Sequence, residues 1–309
     1  LLGFSFAPAF FWLIILAVPL GFAGGAVDAS LNNYVALNFK ARHMNWLHSF
    51  WGVGATLGPV IMSFALSTMT WRGGYRIISL IQLGLSIVLF LSLPLWKKAA
   101  KSGNINTSES EDANITQKGN IFKISGVKLS LITVMLYVAV EASIGLWGSS
   151  FLVGSHNFDI DKAASAMAFF YGSITFGRFI SGFISFKLNN RQLIRAGMIT
   201  TLLGILLLSL PLEGYIASAG IILIGFGLAP IFPAMLHETP QRFGVEVSQK
   251  LIGFQMGFAG LGSALISPLM GLIMQHTSIS MLPVYVGAAT ILMFMTSELI
   301  SIKKQANII

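Results

Sequence analysis

The sequence predicts an all-α membrane protein built from two helical bundles. Three observations lead there. Hydrophobic residues make up 55% of the 309 and charged residues only 10%, against about a quarter charged in soluble domains. The apolar residues fall into blocks of membrane-spanning length. The second half of the chain also repeats the first. A soluble body of this size could not be covered by so few charges, so lipid is the expected solvent. With no cysteine in the chain, disulfides and thiol chemistry are excluded. The net charge of +8 reads as a topology signal and not as a nucleic-acid surface, because the basic residues lie between apolar blocks.

The repeat runs at a constant offset of 204 residues. Leu47, Phe50, Ala55, Leu57, Gly58 and Ser63 recur as Leu251, Phe254, Ala259, Leu261, Gly262 and Ser267. Gly21-Phe22 pairs with Gly225-Phe226, Phe39 with Phe243, and Ile87 and Phe90 with Ile291 and Phe294. No gap is needed, and the polar breaks coincide. Parallel copies of an all-apolar unit are the signature of a secondary transporter. At this offset the counterpart of residues 123–211 would fall before Leu1. The expectation is that the first copy is incomplete, lacking about two to three helices in about 80–100 residues.

A spanning helix needs about 20 apolar residues. The stub 1–10 reads as the end of one span. Blocks 11–33, 45–67 and 77–96 follow, and with the stub they form a partial N-terminal bundle over 1–96. Residues 97–123 are polar, cannot form a core, and read as a linker. Blocks 127–152, 163–187, 194–212, 215–236, 251–275 and 280–300 then make a C-terminal six-helix bundle over 124–309. The linker carries Lys97, Lys98, Lys101, Lys118 and Lys123 and should be cytoplasmic. Alternation from it puts Lys40, Arg42, Lys187, Arg191, Arg195, Arg242, Lys250, Lys303 and Lys304 on the same side. Only Arg72, Arg76 and Lys162 fall outside, with Asp159, Asp161 and Glu213. A plasma-membrane protein with a cytoplasmic C-terminus is expected.

Ionisable residues inside spans cost several kcal/mol unless they face a cavity or a partner, so they are the best functional evidence. Asp28 shares a helix face with Asn32, and Gly21 and Gly25 would leave that face open. Glu141 sits mid-span, flanked by Tyr137 and Gly145 at four-residue spacing, and can carry a proton. Glu298 lies near Lys303 and is expected to snorkel to the surface. His48 and Gln255 lie near the starts of repeat-related helices. Tyr171, Thr175 and Arg178 form one stripe, with Arg178 read as a gate or structural ion pair. Asn32, His48, Trp51, Tyr137, Trp147 and Gln255 make an aromatic and amide set suited to stacking on a sugar and hydrogen bonding to it. For each, packing or a hydrogen bond to a neighbouring helix is the alternative. The histidines lack metal spacing with acids. There is no nucleotide-binding loop and no hydrolase elbow. Neither an enzyme nor a cofactor is expected.

At Gly21–Pro59 and Gly225–Gly271 the chain resembles the major facilitator superfamily, and within it the fucose–proton symporter and sugar permease branch. The carrying motifs are Gly-Gly-Ala-Val-Asp28-Ala-Ser-Leu-Asn32-Asn33, then Asn45-Trp-Leu-His48-Ser-Phe-Trp51-Gly-Val-Gly-Ala, and Gly225-Phe-Gly-Leu-Ala-Pro-Ile-Phe-Pro233. The superfamily's loop motif after helix eight is kept in part over Gly182 to Arg191. The resemblance implies a two-bundle transporter, here from the end of helix three through helix twelve. It implies that Asp28 is the helix-four acid of proton coupling and solute binding, and that His48 and Trp51 face the cavity.

The expected function is proton-coupled uptake of a sugar or similar small polar solute by alternating access. Asp28 and Glu141 would couple, and a monomer in the bilayer is expected, with solute and protons as partners and no nucleic acid. The alternatives are drug or metabolite efflux, and a transport-incompetent receptor or gene remnant. The basic-residue bias makes a direct prediction. Reporter tags placed within 97–123 and after Ile309 should both read as cytoplasmic, and tags on opposite sides would refute the span count.

Overall fold

The computed structural model describes residues 1–102, 120–211 and 214–306, without the side chains of Pro59, 95–102 and 303–306. Most of the linker read at 97–123, namely 103–119, lies outside the described residues, as does Glu213. Among the described residues the chain is helical, with no strand. A short helix α1 (Leu2–Phe6) precedes α2 (Phe10–Asn38), α3 (Ala41–Thr68) and α4 (Trp71–Ser102). After a 3₁₀ turn at Ile121–Lys123 come α5 (Val127–His156), α6 (Ile160–Ile184), α7 (Asn190–Ser209), α8 (Gly214–Leu228), α9 (Ile231–Phe243), α10 (Val245–Leu261), α11 (Ser267–His276) and α12 (Leu282–Ala306). Nine helical segments among the described residues are long and apolar enough to span a bilayer, as the sequence reading expected.

Several helices run past their apolar blocks. The third begins at Ala41, four residues before the apolar block, because Arg42, His43 and Asn45 are compatible with a helix though not with lipid. Hydropathy sees the lipid-facing length and misses the wetter turns.

The repeat is carried into one helix boundary that is described in both copies: Ala41 and Val245 begin helices 204 residues apart. The copies differ where only the second has proline. The helix corresponding to α2 is broken into α8 and α9 at Ala229-Pro230, and the one corresponding to α3 contains a π-helical turn at Gly262–Ile266 just before Pro268. A proline ring crowds the carbonyl four residues earlier, and a wider turn there relieves it.

By contacts the chain divides into two compact units, Leu1–Gly24 with Gly54–Asn120, and Gly25–Val53 with Ile121–Ile309. Within the first, α1 is pinned to α4. Arg72 donates to the Ala7 carbonyl at 2.9 Å, Phe4 stacks on Tyr75 at 5.4 Å, and Arg76 lies over Phe6.

The second unit has a well-packed interior around Tyr137, Phe170, Ile144 and Ile224. Its tightest seam joins α7 to α8 through glycines. A methyl carbon on Gly204 would stand 2.7 Å from the Ile224 amide nitrogen and 2.8 Å from the Gly220 carbonyl oxygen. Without the help of the hydrophobic effect, helices in lipid associate by such close backbone packing. Glu298 differs from expectation. It is not free at the surface but is clasped by Arg195 at 2.6 and 2.5 Å and Arg191 at 3.3 Å, which fastens α12 to α7. The sequence reading took it to reach the surface and missed partners a hundred residues away in the chain.

The glycines divide into packed and open sets, and this generates a contrast. Gly220→Ala should lower stability by about 1–3 kcal/mol through overpacking. Gly257→Ala, whose added methyl meets nothing within 4 Å, should leave it unchanged. Thermal unfolding in detergent measures both, at about 2–4 °C per kcal/mol.

Candidate functional site

Helix α2 carries Asp28 and Asn32 one turn apart. The Asn32 side-chain amide donates to the Asp28 carboxylate at 2.9 Å and to the Asp28 backbone carbonyl at 2.9 Å. Asn32 is fully buried, whereas Asp28 is exposed. The glycines on its face are open as expected, since a methyl on Gly21 or Gly25 would meet nothing within 4 Å. No cation pairs with Asp28 among the described residues.

The chain of bonds continues onto α3. His48, also buried, lies with Nε2 2.9 Å from the Asn32 side-chain oxygen. Because the Asn32 nitrogen is committed to Asp28, its oxygen must accept and His48 Nε2 must donate. The neutral ring therefore holds its proton on Nε2. The imidazole sits edge-on to Phe232 at 5.3 Å, and Phe232 stacks on Tyr137 at 5.2 Å.

Arg178 of α6 reaches into the same cluster and is 3% exposed. It donates to the Tyr137 hydroxyl at 3.2 Å and to the His48 carbonyl at 3.4 Å. It pairs with Glu141 at 3.6 Å and lies 5.5 Å from the centre of the Trp51 ring. Its Nε is buried with no partner. Helix α3 can approach α6 this closely because Gly52 leaves room for Thr175, and Ser49 donates to the Thr175 carbonyl at 3.1 Å. The two acids are thus in unlike settings. Glu141 has a guanidinium beside it, and Asp28 has a neutral amide.

Asp28, Asn32, His48, Trp51, Tyr137, Glu141 and Arg178 are therefore brought into one connected cluster. Trp147 and Gln255 lie apart from it. The Trp147 indole donates to the Ser267 carbonyl at 3.0 Å and rests against Gly271. It lines a separate, largely apolar cavity of about 630 Å³ with Pro268, Leu272 and Ile279. Gln255 is fully buried, with both ends of its amide used, on Ser130 at 2.8 Å and Thr239 at 3.2 Å.

Sequence reasoning passed over Phe232, whose ring bridges His48 and Tyr137, since a phenylalanine in an apolar run carries no signal. It also missed the bonds that hold the end of α2. Asn33 accepts from Ser248 at 2.7 Å, and His237 bridges the Phe39 carbonyl at 2.9 Å and Asn190 at 3.0 Å. Polar residues in an apolar helix were the available clue. Among the described residues no group of three His, Cys, Asp or Glu could hold a metal ion.

Comparison with known proteins follows this geometry. The family model of the Major Facilitator Superfamily matches residues 1–246. The glucose/mannose transporter GlcP of Bacillus subtilis (strain 168) is 23% identical over 267 residues, covering 84% of this chain and 65% of that protein. A putative glucose/galactose transporter of Helicobacter pylori (strain ATCC 700392 / 26695) is 24% identical over 257 residues, covering 78% of this chain and 60% of its own length. The chain thus spans a little under two thirds of these relatives. In fold, it is similar to FucP in the outward conformation, a transporter of the same superfamily, with a TM-score of 0.66 at 12% identity, covering 88% of this chain and 72% of that one.

The Arg178–Glu141 pair yields a measurable expectation. Removing one partner of a buried pair strands the other, so Arg178→Gln or Glu141→Gln should each cost about 3 kcal/mol. The double variant should cost less than the sum, with a coupling of about 1–3 kcal/mol in a thermal-unfolding cycle. Additive losses would show that the two side chains do not interact.

Proposed function

The chain belongs to the major facilitator superfamily, and from that membership we propose that it moves a sugar or similar small polar solute across the plasma membrane together with protons. The observation that carries the proposal is the Asp28–Asn32–His48 relay, an acid without a cation on an open helix face inside a membrane span. The family and fold support a carrier, and the names of the glucose/mannose and glucose/galactose transporters support a sugar.

A lone carboxylate within the membrane is costly as an anion, and taking up a proton removes that cost. Asp28 then exchanges its proton with water on whichever side it faces. Asn32 can serve both forms without turning, since its amide N–H donates to the anion and equally to the carbonyl oxygen of the neutral acid. His48 holds the amide at its other end. Solute binding and protonation each shift the balance between inward- and outward-facing forms. The end of the bundle that carries Lys40, Arg42, Lys187, Arg191 and Lys250 faces the cytoplasm by the positive-inside rule.

The test uses vesicles bearing the full-length protein and radiolabelled glucose as probe. One pH unit is worth about 1.4 kcal/mol, or about tenfold accumulation for one proton per solute. Asp28→Asn should reduce that ratio to about unity while exchange of glucose down its own gradient persists, because exchange needs no net proton movement. Accumulation by Asp28→Asn equal to the parent's would refute the role of this acid.

A further inference from the structure

The surroundings of the two acids in the cluster suit them to different tasks. Glu141 has a side chain only 14% exposed, with Arg178 standing off at 3.6 Å, beyond hydrogen-bond length. Its carboxylate is neutralised in charge but not filled. The Tyr137 hydroxyl interacts with it, and a carboxylate offers about four acceptor positions, so most remain open. The same Arg178 guanidinium backs the ring of Trp51, which is 55% exposed. Tyr171 of α6, 41% exposed, also reaches this stretch of α5. The Tyr171 hydroxyl rests on α5 where Gly145 has no side chain, one turn from Glu141, and a methyl group there would collide with it.

Resting on the sugar reading above, we propose that Glu141, braced by Arg178 and joined by Trp51 on that same guanidinium and by Tyr171 one turn along at Gly145, is the hydroxyl-binding subsite for the solute and a determinant of specificity, separate from the proton site at Asp28. A pyranose has an apolar C–H face and a rim of hydroxyl groups. An exposed indole takes the face, while a carboxylate accepts from two neighbouring hydroxyls and a phenol offers a further polar contact. The buried, unpartnered Nε of Arg178 is a donor available to a solute oxygen or to water when the cluster opens. The neutral Glu141–Arg178 pair also makes sense of a substrate without charge, since neither a bare anion nor a bare cation is presented to it. A purely structural ion pair would need neither the exposed rings of Trp51 and Tyr171 nor the missing side chain at Gly145.

The test measures equilibrium binding of radiolabelled glucose to the full-length protein, with galactose and mannose as competitors, and the pH profile of glucose uptake in vesicles. Trp51→Ala and Glu141→Gln should each weaken binding about tenfold, Tyr171→Phe and Gly145→Ala should weaken it severalfold, and competitor ranking should change. The pH dependence of the remaining uptake should not move in any of the four, whereas Asp28→Asn should flatten it. Should Glu141→Gln fail to fold, Trp51→Ala and Tyr171→Phe decide the matter. Parental affinity and ranking in those two variants would overturn the subsite while leaving the transport reading intact. A shifted pH profile with unchanged affinity in Glu141→Gln would likewise overturn it, by making Glu141 a proton site. A parent that binds none of the three sugars would sink the sugar reading, and the subsite with it.

Discussion

A guanidinium buried among membrane-spanning helices must find its compensation inside the protein, because lipid offers none. Arg178 sets that demand here. Its side chain draws together the Glu141 carboxylate and Tyr137 hydroxyl of α5 and the His48 carbonyl and Trp51 ring of α3. None of these contacts is short, and one nitrogen is left without a partner. The result is a junction held by several weak bonds instead of one strong one. Such a junction is compatible with an element that has to part and re-form, since no single contact carries a prohibitive cost.

The same physics explains how the helices can converge on the charge. Gly52 admits Thr175, Gly145 admits Tyr171 and Gly182 admits Trp46. Each missing side chain lets a bulky or polar group from a neighbouring helix reach the backbone, as the seam between α7 and α8 does throughout its length. The open glycines behave differently. A methyl group on Gly21 or Gly25 would meet nothing within 4 Å, so smallness there does not serve packing. Glycine content alone does not separate the two uses, whereas the neighbours of each glycine do.

The copies of the repeat have drifted in an instructive way. One helix start, at Ala41 and Val245, still coincides at the 204-residue offset, but Trp51 of the first copy corresponds to Gln255 of the second. The first joins the charged cluster, and the second is satisfied by Ser130 and Thr239. Proline has also interrupted the second copy's regular α-helix at points where the first copy continues unbroken. The scaffold is shared while the polar chemistry is not, and this is how one fold comes to serve many solutes.

Much of this protein was legible from its residues alone. Hydropathy and charge set the solvent, the span count and the apolar centre of each helix, since lipid penalises each exposed polar group locally and without regard to the fold. The cost of intramembrane charge pointed to Asp28, Glu141 and Arg178, and i, i+4 spacing joined Asp28 to Asn32 and Tyr137 to Glu141. Partners on other helices were beyond reach. That Glu298 answers to Arg191 and Arg195, that Glu141 answers to Arg178 while Asp28 answers to an amide, and that Phe232 bridges His48 and Tyr137 depend on how helices pack. A one-dimensional period tells which face a side chain occupies. Only the tertiary structure, through the close approaches its glycines permit, decides what that face meets.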